Sequence, residues 1–157
     1  MSAIGLSVPR KEAPNKVNGT VKYNDDYTSS DLLYCWLVTS LYAHAKIKAV
    51  DCSAALRSPG VQALVTGEDY KALVGVMLND RPPLASDQAR YFGEPIAVVV
   101  ANSLFEARKA ADLVIVDYEP LPVVNSPGDA VKPDAPLLHP KLEQYNKVEP
   151  DIYPEPG

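Results

Sequence analysis

The sequence predicts an α+β domain of mixed strands and two helices, and three observations carry that prediction. Residues 90–122 read RYFGEPIAVVVANSLFEARKAADLVIVDYEPLP: an unbroken β-branched run, a helical period, then a second apolar run. Residues 32–40 and 47–51 supply further strand-like stretches, one aromatic and apolar, the other alternating. Finally, 15 prolines in 157 residues demand many short elements and few long helices.

The elements follow in chain order. Residues 1–18 are polar, proline-containing and aperiodic, which predicts an extended arm. Residues 16–20 read as a turn and 21–23 as the start of a short strand, ended by Asn24, Asp25 and Asp26. Those adjacent aspartates lack a D-x-D-x-D-G ladder, so a solvated turn is expected rather than a calcium site. Residues 32–40 form the next strand, with Trp36 expected in the core. His44 has no Ser, Cys or second His at catalytic spacing and is expected to be a hydrogen-bonded structural residue. After the strand at 47–51, Ser53 caps a helical turn to Leu56, and residues 61–66 form another strand. Residues 71–89 are the least regular part, with the apolar Val74, Gly75, Val76, Met77 and Leu78 directly before Asn79 and Asp80. A long irregular loop of this kind is either a binding loop or a plug at the core edge.

Residues 90–122 are the organising unit. Gly93, Glu94 and Pro95 form a turn, since glycine tolerates positive φ and proline fixes φ. Residues 96–101 read as a strand buried on both faces. Ser103 and Glu106 stand at capping-box spacing, and Leu104, Ala107, Ala111 and Val114 mark the inward helix face. With a strand at 113–118, the expectation is a right-handed βαβ crossover. A helical turn is expected at 129–131. From residue 133 the chain is loop-like, and its proline-spaced end resembles a linker or trailing arm.

Charge and motifs narrow the function. A net charge of −5 and a pI near 5.0 weigh against nucleic acid. No apolar run is long enough for a transmembrane helix, and the first residues lack a basic region followed by an apolar core, so a cytoplasmic protein away from membranes is expected. Cys35 and Cys52 are expected to be reduced and buried, and two cysteines with two histidines make neither a metal site at the usual spacings nor an iron–sulfur site. Phosphate-binding, dinucleotide-binding, zinc-protease and nucleophile-elbow motifs are absent. Glu94 without a partner acid or donor gives no mechanism, so no catalytic residue is assigned.

The order of the short motifs does carry a resemblance. Lys16-Val17-Asn18-Gly19-Thr20-Val21-Lys22-Tyr23 with Asp26, Ala43-His44-Ala45-Lys46-Ile47, Val50-Asp51-Cys52-Ser53-Ala54-Ala55-Leu56 and Pro59-Gly60-Val61 occur in sequence. Thr66-Gly67-Glu68-Asp69, Leu84-Ala85, Arg90-Tyr91-Phe92-Gly93-Glu94-Pro95-Ile96-Ala97 and Val116-Asp117-Tyr118-Glu119-Pro120-Leu121-Pro122 follow, with 134–140 at the exit. Together they resemble the a/b hammerhead domain of the molybdenum-binding large subunit of the xanthine dehydrogenase/aldehyde oxidase family. Ser40-Leu41 and Ser29-Ser30-Asp31 depart from the family pattern at two turns.

The resemblance implies a hammerhead motif like that of barrel-sandwich hybrids, spanning 21–140 after an arm at 1–20 and before a linker at 141–157. It implies the non-catalytic N-terminal domain of an oxidoreductase that hydroxylates purines, aldehydes or N-heterocycles with water, the present chain being a piece cut at Gly157. Molybdenum–molybdopterin, [2Fe–2S] clusters and FAD are expected in the parent enzyme and none in this chain. The expected partners are the remaining domains of the large subunit and the iron–sulfur and FAD subunits or domains. Met77 and Leu78 are expected to line the substrate funnel, and Gly93, Glu94 and Pro95 to be a structural turn. The alternative is a free-standing interaction module. A lipoyl- or biotinyl-like carrier ranks below it, since no lysine has the neighbours of a carrier lysine.

Overall fold

The computed structural model describes residues 4–76 and 78–144 and divides the chain into two units, Met1–Leu32 and Leu33–Gly157. Residues 145–157, most of the expected linker, lie outside the described residues. The first unit corrects two expectations. Where an extended arm was expected, α1 (Ala13–Val17) forms, with Pro14 in its first turn, where the missing N–H costs nothing. Instead of a strand at 21–23, a 3₁₀ turn occupies Asn24–Asp26, and Asp26 accepts the Tyr23 N–H at 2.8 Å.

Among its described residues the second unit holds six strands: β1 (Tyr34–Thr39), β2 (Ala45–Asp51), β3 (Val61–Thr66), β4 (Gln88–Ala89), β5 (Pro95–Ala101) and β6 (Ile115–Pro120). They make two three-stranded sheets, β1-β5-β3 and β4-β2-β6. The helices here are α2 (Ser53–Leu56), α3 (Leu104–Ala111) and α4 (Pro127–Ala130). This is a small α+β architecture, as the sequence predicts, with one helix of eight residues and single helical turns elsewhere among the described residues of this unit.

The βαβ crossover is overturned. Every strand pairing among the described residues is antiparallel, and β5 and β6 belong to different sheets. Both edges of β5 are taken, by β1 and β3, which leaves β6 to pair with β2. Local periodicity specifies strand, helix, strand; it says nothing of which edges remain free.

In the first sheet the register aligns Trp36, Val99 and Leu64 in one row and Val38, Ala97 and Thr66 in the next, on the face toward α3. Val99 packs there with Ala55, Ala110 and Ala111, bordered by Val38, Val61, Leu64 and Val114. The inward side of α3 is Ala107, Ala110 and Ala111, whereas Leu104, expected to face the core, is half exposed. Alanines let the short helix lie close to the sheet. Trp36 is likewise not core: β1 is an edge strand, and the indole stays 37% exposed beneath the Arg108 guanidinium, 5.4 Å from the ring centre. Cys35, expected to be buried, is exposed on the same edge strand, and both cysteines are free thiols.

At one corner of the first sheet the segment leading into β4 crosses the end of β3. A Cβ on Gly67 would sit 2.6 Å from the Leu84 and Ala85 backbone, so only glycine permits that crossing. There Gly67 N–H donates to Ile96 at 3.2 Å and Ala85 N–H to Pro95 at 2.7 Å. His44 is nearly buried, as expected of a structural histidine. Its Nδ1 meets the Pro122 carbonyl and its Nε2 the Gln88 amide nitrogen. The carbonyl can only accept, so Nδ1 carries the proton and Nε2 accepts from Gln88. None of the described helices is long and apolar enough to cross a membrane.

Candidate functional site

The irregular loop and the glycine–glutamate–proline turn meet at one cleft of the second unit. The loop is pinched shut by Val74 N–H to Arg81 (2.8 Å) and Arg81 N–H to Val74 (3.2 Å). Inside it Asp80 N–H donates to the Leu78 carbonyl at 3.0 Å. That carbonyl lies 1.8 Å from where a Gly75 Cβ would stand, so glycine is what lets the loop fold back on itself. Val76 projects into solvent, 79% exposed, and Leu78 is half-buried. Met77 lies outside the described residues.

The turn is held by backbone hydrogen bonds to the end of β1. Gly93 N–H donates to Ser40 at 2.9 Å, Ser40 N–H to Glu94 at 2.8 Å, and Glu94 N–H to Tyr91 at 3.2 Å. Gly93 has φ +87° with open space around it, so the requirement there is conformational, not steric. Pro95 begins β5.

Among the described residues Glu94 is the most deeply placed ionisable group, 1% exposed. Its Oε2 accepts the Arg90 backbone N–H, and its buried Oε1 has no partner. Burial pushes the Glu94 carboxyl above its ordinary pKa, while the Arg90 N–H, the Arg90 charge and the Tyr91 backbone pull the other way. Arg90 is mostly buried and points elsewhere: Nη1 donates to the Gln88 carbonyl at 2.9 Å and Nη2 lies 3.5 Å from the exposed Asp87. Its buried Nε has no partner. The cleft, about 330 Å³ and open to solvent, is lined on one side by Gly75, Val76, Leu78 and residues 80–82, and on the other by Arg90, Tyr91, Glu94 and His139.

Two residues singled out from sequence, Leu78 and Glu94, therefore face one cleft although sixteen positions apart. Gly93 and Pro95 set the turn's backbone without lining the cleft. Sequence reasoning passed over Arg90 and Gly75. The signals were present in the Arg-x-x-x-Glu spacing and in a glycine inside an apolar run. Among the described residues no group of three or more His, Cys, Asp or Glu side chains could hold a metal ion.

Comparison with known proteins bears on what surrounds this cleft. Residues 18–122 match the family model described as aldehyde oxidase and xanthine dehydrogenase, a/b hammerhead domain. The chain is 38% identical over 132 residues to a probable xanthine dehydrogenase subunit of Bacillus subtilis (strain 168), covering 83% of this chain and 18% of that protein. It is 37% identical over 143 residues to the carbon monoxide dehydrogenase large chain of Afipia carboxidovorans, covering 88% and 18%. The solved aldehyde oxidoreductase of Desulfovibrio gigas superposes with a TM-score of 0.76 at 35% identity, covering 85% of this chain and 16% of that one. The chain thus spans less than a fifth of the length of these relatives.

Proposed function

The chain belongs to the a/b hammerhead family of aldehyde oxidases and xanthine dehydrogenases, and from that premise we propose that it is the non-catalytic N-terminal domain of a molybdenum hydroxylase large subunit. The parent enzyme hydroxylates a purine, an aldehyde or an N-heterocycle with oxygen from water. Residues 21–140 form the domain, after an arm at 1–20 and before a linker at 141–157.

The molybdenum–molybdopterin group, the [2Fe–2S] clusters and the FAD belong to the remaining domains or subunits. The clusters do not fit this chain: each [2Fe–2S] centre needs four protein ligands, whereas Cys35 and Cys52 are a single exposed and a single half-buried thiol, and the described residues hold no group of three or more metal-binding side chains. No chemical step is assigned to residues of this domain. Its role is to scaffold the subunit and to shape the approach to the reacting centre.

The observation that supports this role is the cleft shared by Leu78 and Glu94. A rigid turn forms one wall; the loop that carries Val76 and Leu78 forms the other. In this reading the loop borders the substrate's path, and Gly93, Glu94 and Pro95 hold the wall against which it stands.

The test uses the full-length enzyme, assayed across the three substrate classes. Leu78→Ala is expected to raise KM about three- to tenfold with kcat within about twofold, the signature of lost uniform binding at a contact worth about 1 kcal/mol. An unchanged KM overturns the channel role. An enzyme that hydroxylates no member of the three classes overturns the activity.

A further inference from the structure

The first sheet has a second face. Trp36, Val99, Leu64 and their neighbouring rows face α3. The alternate residues form two rows on the opposite side: Cys35, Val100 and Ala63 in one, Leu37, Val98 and Val65 in the next. All six are apolar, counting the free thiol as a small hydrophobe. Cys35 and Ala63 are exposed, and Leu37 is 49% exposed.

An antiparallel sheet that faces water on one side ordinarily alternates apolar and polar residues. β5, reading PIAVVVA, has no polar side chain at any position, which is the composition of a strand covered on both faces. The second sheet shows the contrast: Lys46 and Lys48 stand 3.5 and 3.7 Å from Glu119, an exposed ion-pair surface suited to solvent.

We propose that the Cys35–Leu37–Val98–Val100 face is an interdomain interface, covered in the full-length protein by an apolar surface of the same polypeptide outside this chain. The inference rests on the reading of the chain as one domain of a large subunit. Relatives devote only 16 to 18% of their length to the matching region, so each has ample further chain to supply the cover. A covering segment on the same polypeptide acts at high effective concentration and needs no separate association. Its surface must be apolar, because these six side chains offer no charge and no strong hydrogen-bonding group, and a polar partner would be desolvated unpaired.

Cys35 is the probe. Full-length protein is pulsed with iodoacetamide in native buffer and in urea, and alkylation of the Cys35 peptide is measured by mass spectrometry. A covered thiol should react at least about 100-fold more slowly in the native state than in urea, since labelling then requires local opening. Leu37→Arg, or Leu37→Ser where arginine prevents folding, should bring the native rate back to within about tenfold of the unfolded one. Native labelling already within that range in the wild type overturns the inference, as does protection that the Leu37 substitutions leave untouched. Protection lost on dilution, together with dissociation of a dimer in analytical ultracentrifugation, also overturns it and assigns the face to a second copy. Failure of the underlying reading is separately visible: the purified native polypeptide would then have the mass of this chain alone.

Discussion

Burial holds the Glu94 carboxyl above its ordinary pKa, and this makes the residue a term in stability as well as in shape. A group whose folded pKa is raised stabilises the fold fully below its unfolded pKa. That contribution is lost as pH climbs through the raised value. Glu94→Gln keeps an acceptor for the Arg90 N–H but cannot titrate. Its stability relative to wild type should therefore rise as pH climbs above the ordinary glutamate range, read from urea midpoints. A difference that stays flat would mean the carboxyl titrates at its ordinary value. Glu94→Ala leaves the Arg90 N–H without an acceptor and should cost about 1 to 3 kcal/mol in the same measurement. The turn was legible in the sequence because glycine, glutamate and proline each have a local backbone meaning. The exposure of Trp36 and Cys35 was not, because residue type reports a preference for burial and only the strand's place in the sheet decides it.

At the scale of elements, α3 shows both what local sequence specifies and where it stops. Ser103 accepts the Glu106 N–H at 3.2 Å, as the spacing predicted. The glutamate, however, takes the Ser103 hydroxyl at 2.8 Å rather than the Ser103 backbone N–H that a capping box would use. Its carboxylate also rests over Gly60, φ +79°, where a Cβ would come within 2.3 Å. Ser103→Ala should thus cost about 1 kcal/mol, and lower Tm by about 2 to 4 °C for a chain of this size. A Tm within experimental error of wild type would show the cap to be dispensable. The strands at 47–51 and 61–66 were likewise readable, give or take two residues. The pairing of β5 and β6 was not, since sequence periodicity describes one strand while pairing depends on edges contributed by distant ones.

For the molecule as a whole, the central place of β5 sets the order of local stability. Its edges are both occupied, and Ile96, Ala97, Val99 and Ala101 are buried. Native-state hydrogen exchange should find its amides among the slowest in the chain, with the outer edge of β1 exchanging sooner. Fast exchange throughout β5 would contradict the sheet order. The family was readable from sequence because several short motifs kept their order along most of the chain. The cleft was only half readable: Leu78 and Glu94 were each singled out, but the hydrogen bonds that bring loop and turn together are non-local.

The antiparallel pairing also governs what a ribosome-bound chain can do. β1 and β3 do not pair with each other, and both wait for β5; β2 has only the two residues of β4 before β6 arrives. A nascent chain therefore carries three strands with open edges until residue 101 completes the first sheet and residue 120 the second. Neither sheet can be completed piecemeal from the N-terminus. Emergence of residue 120 from the ribosome is the point at which this domain stops being a collection of unpaired strands.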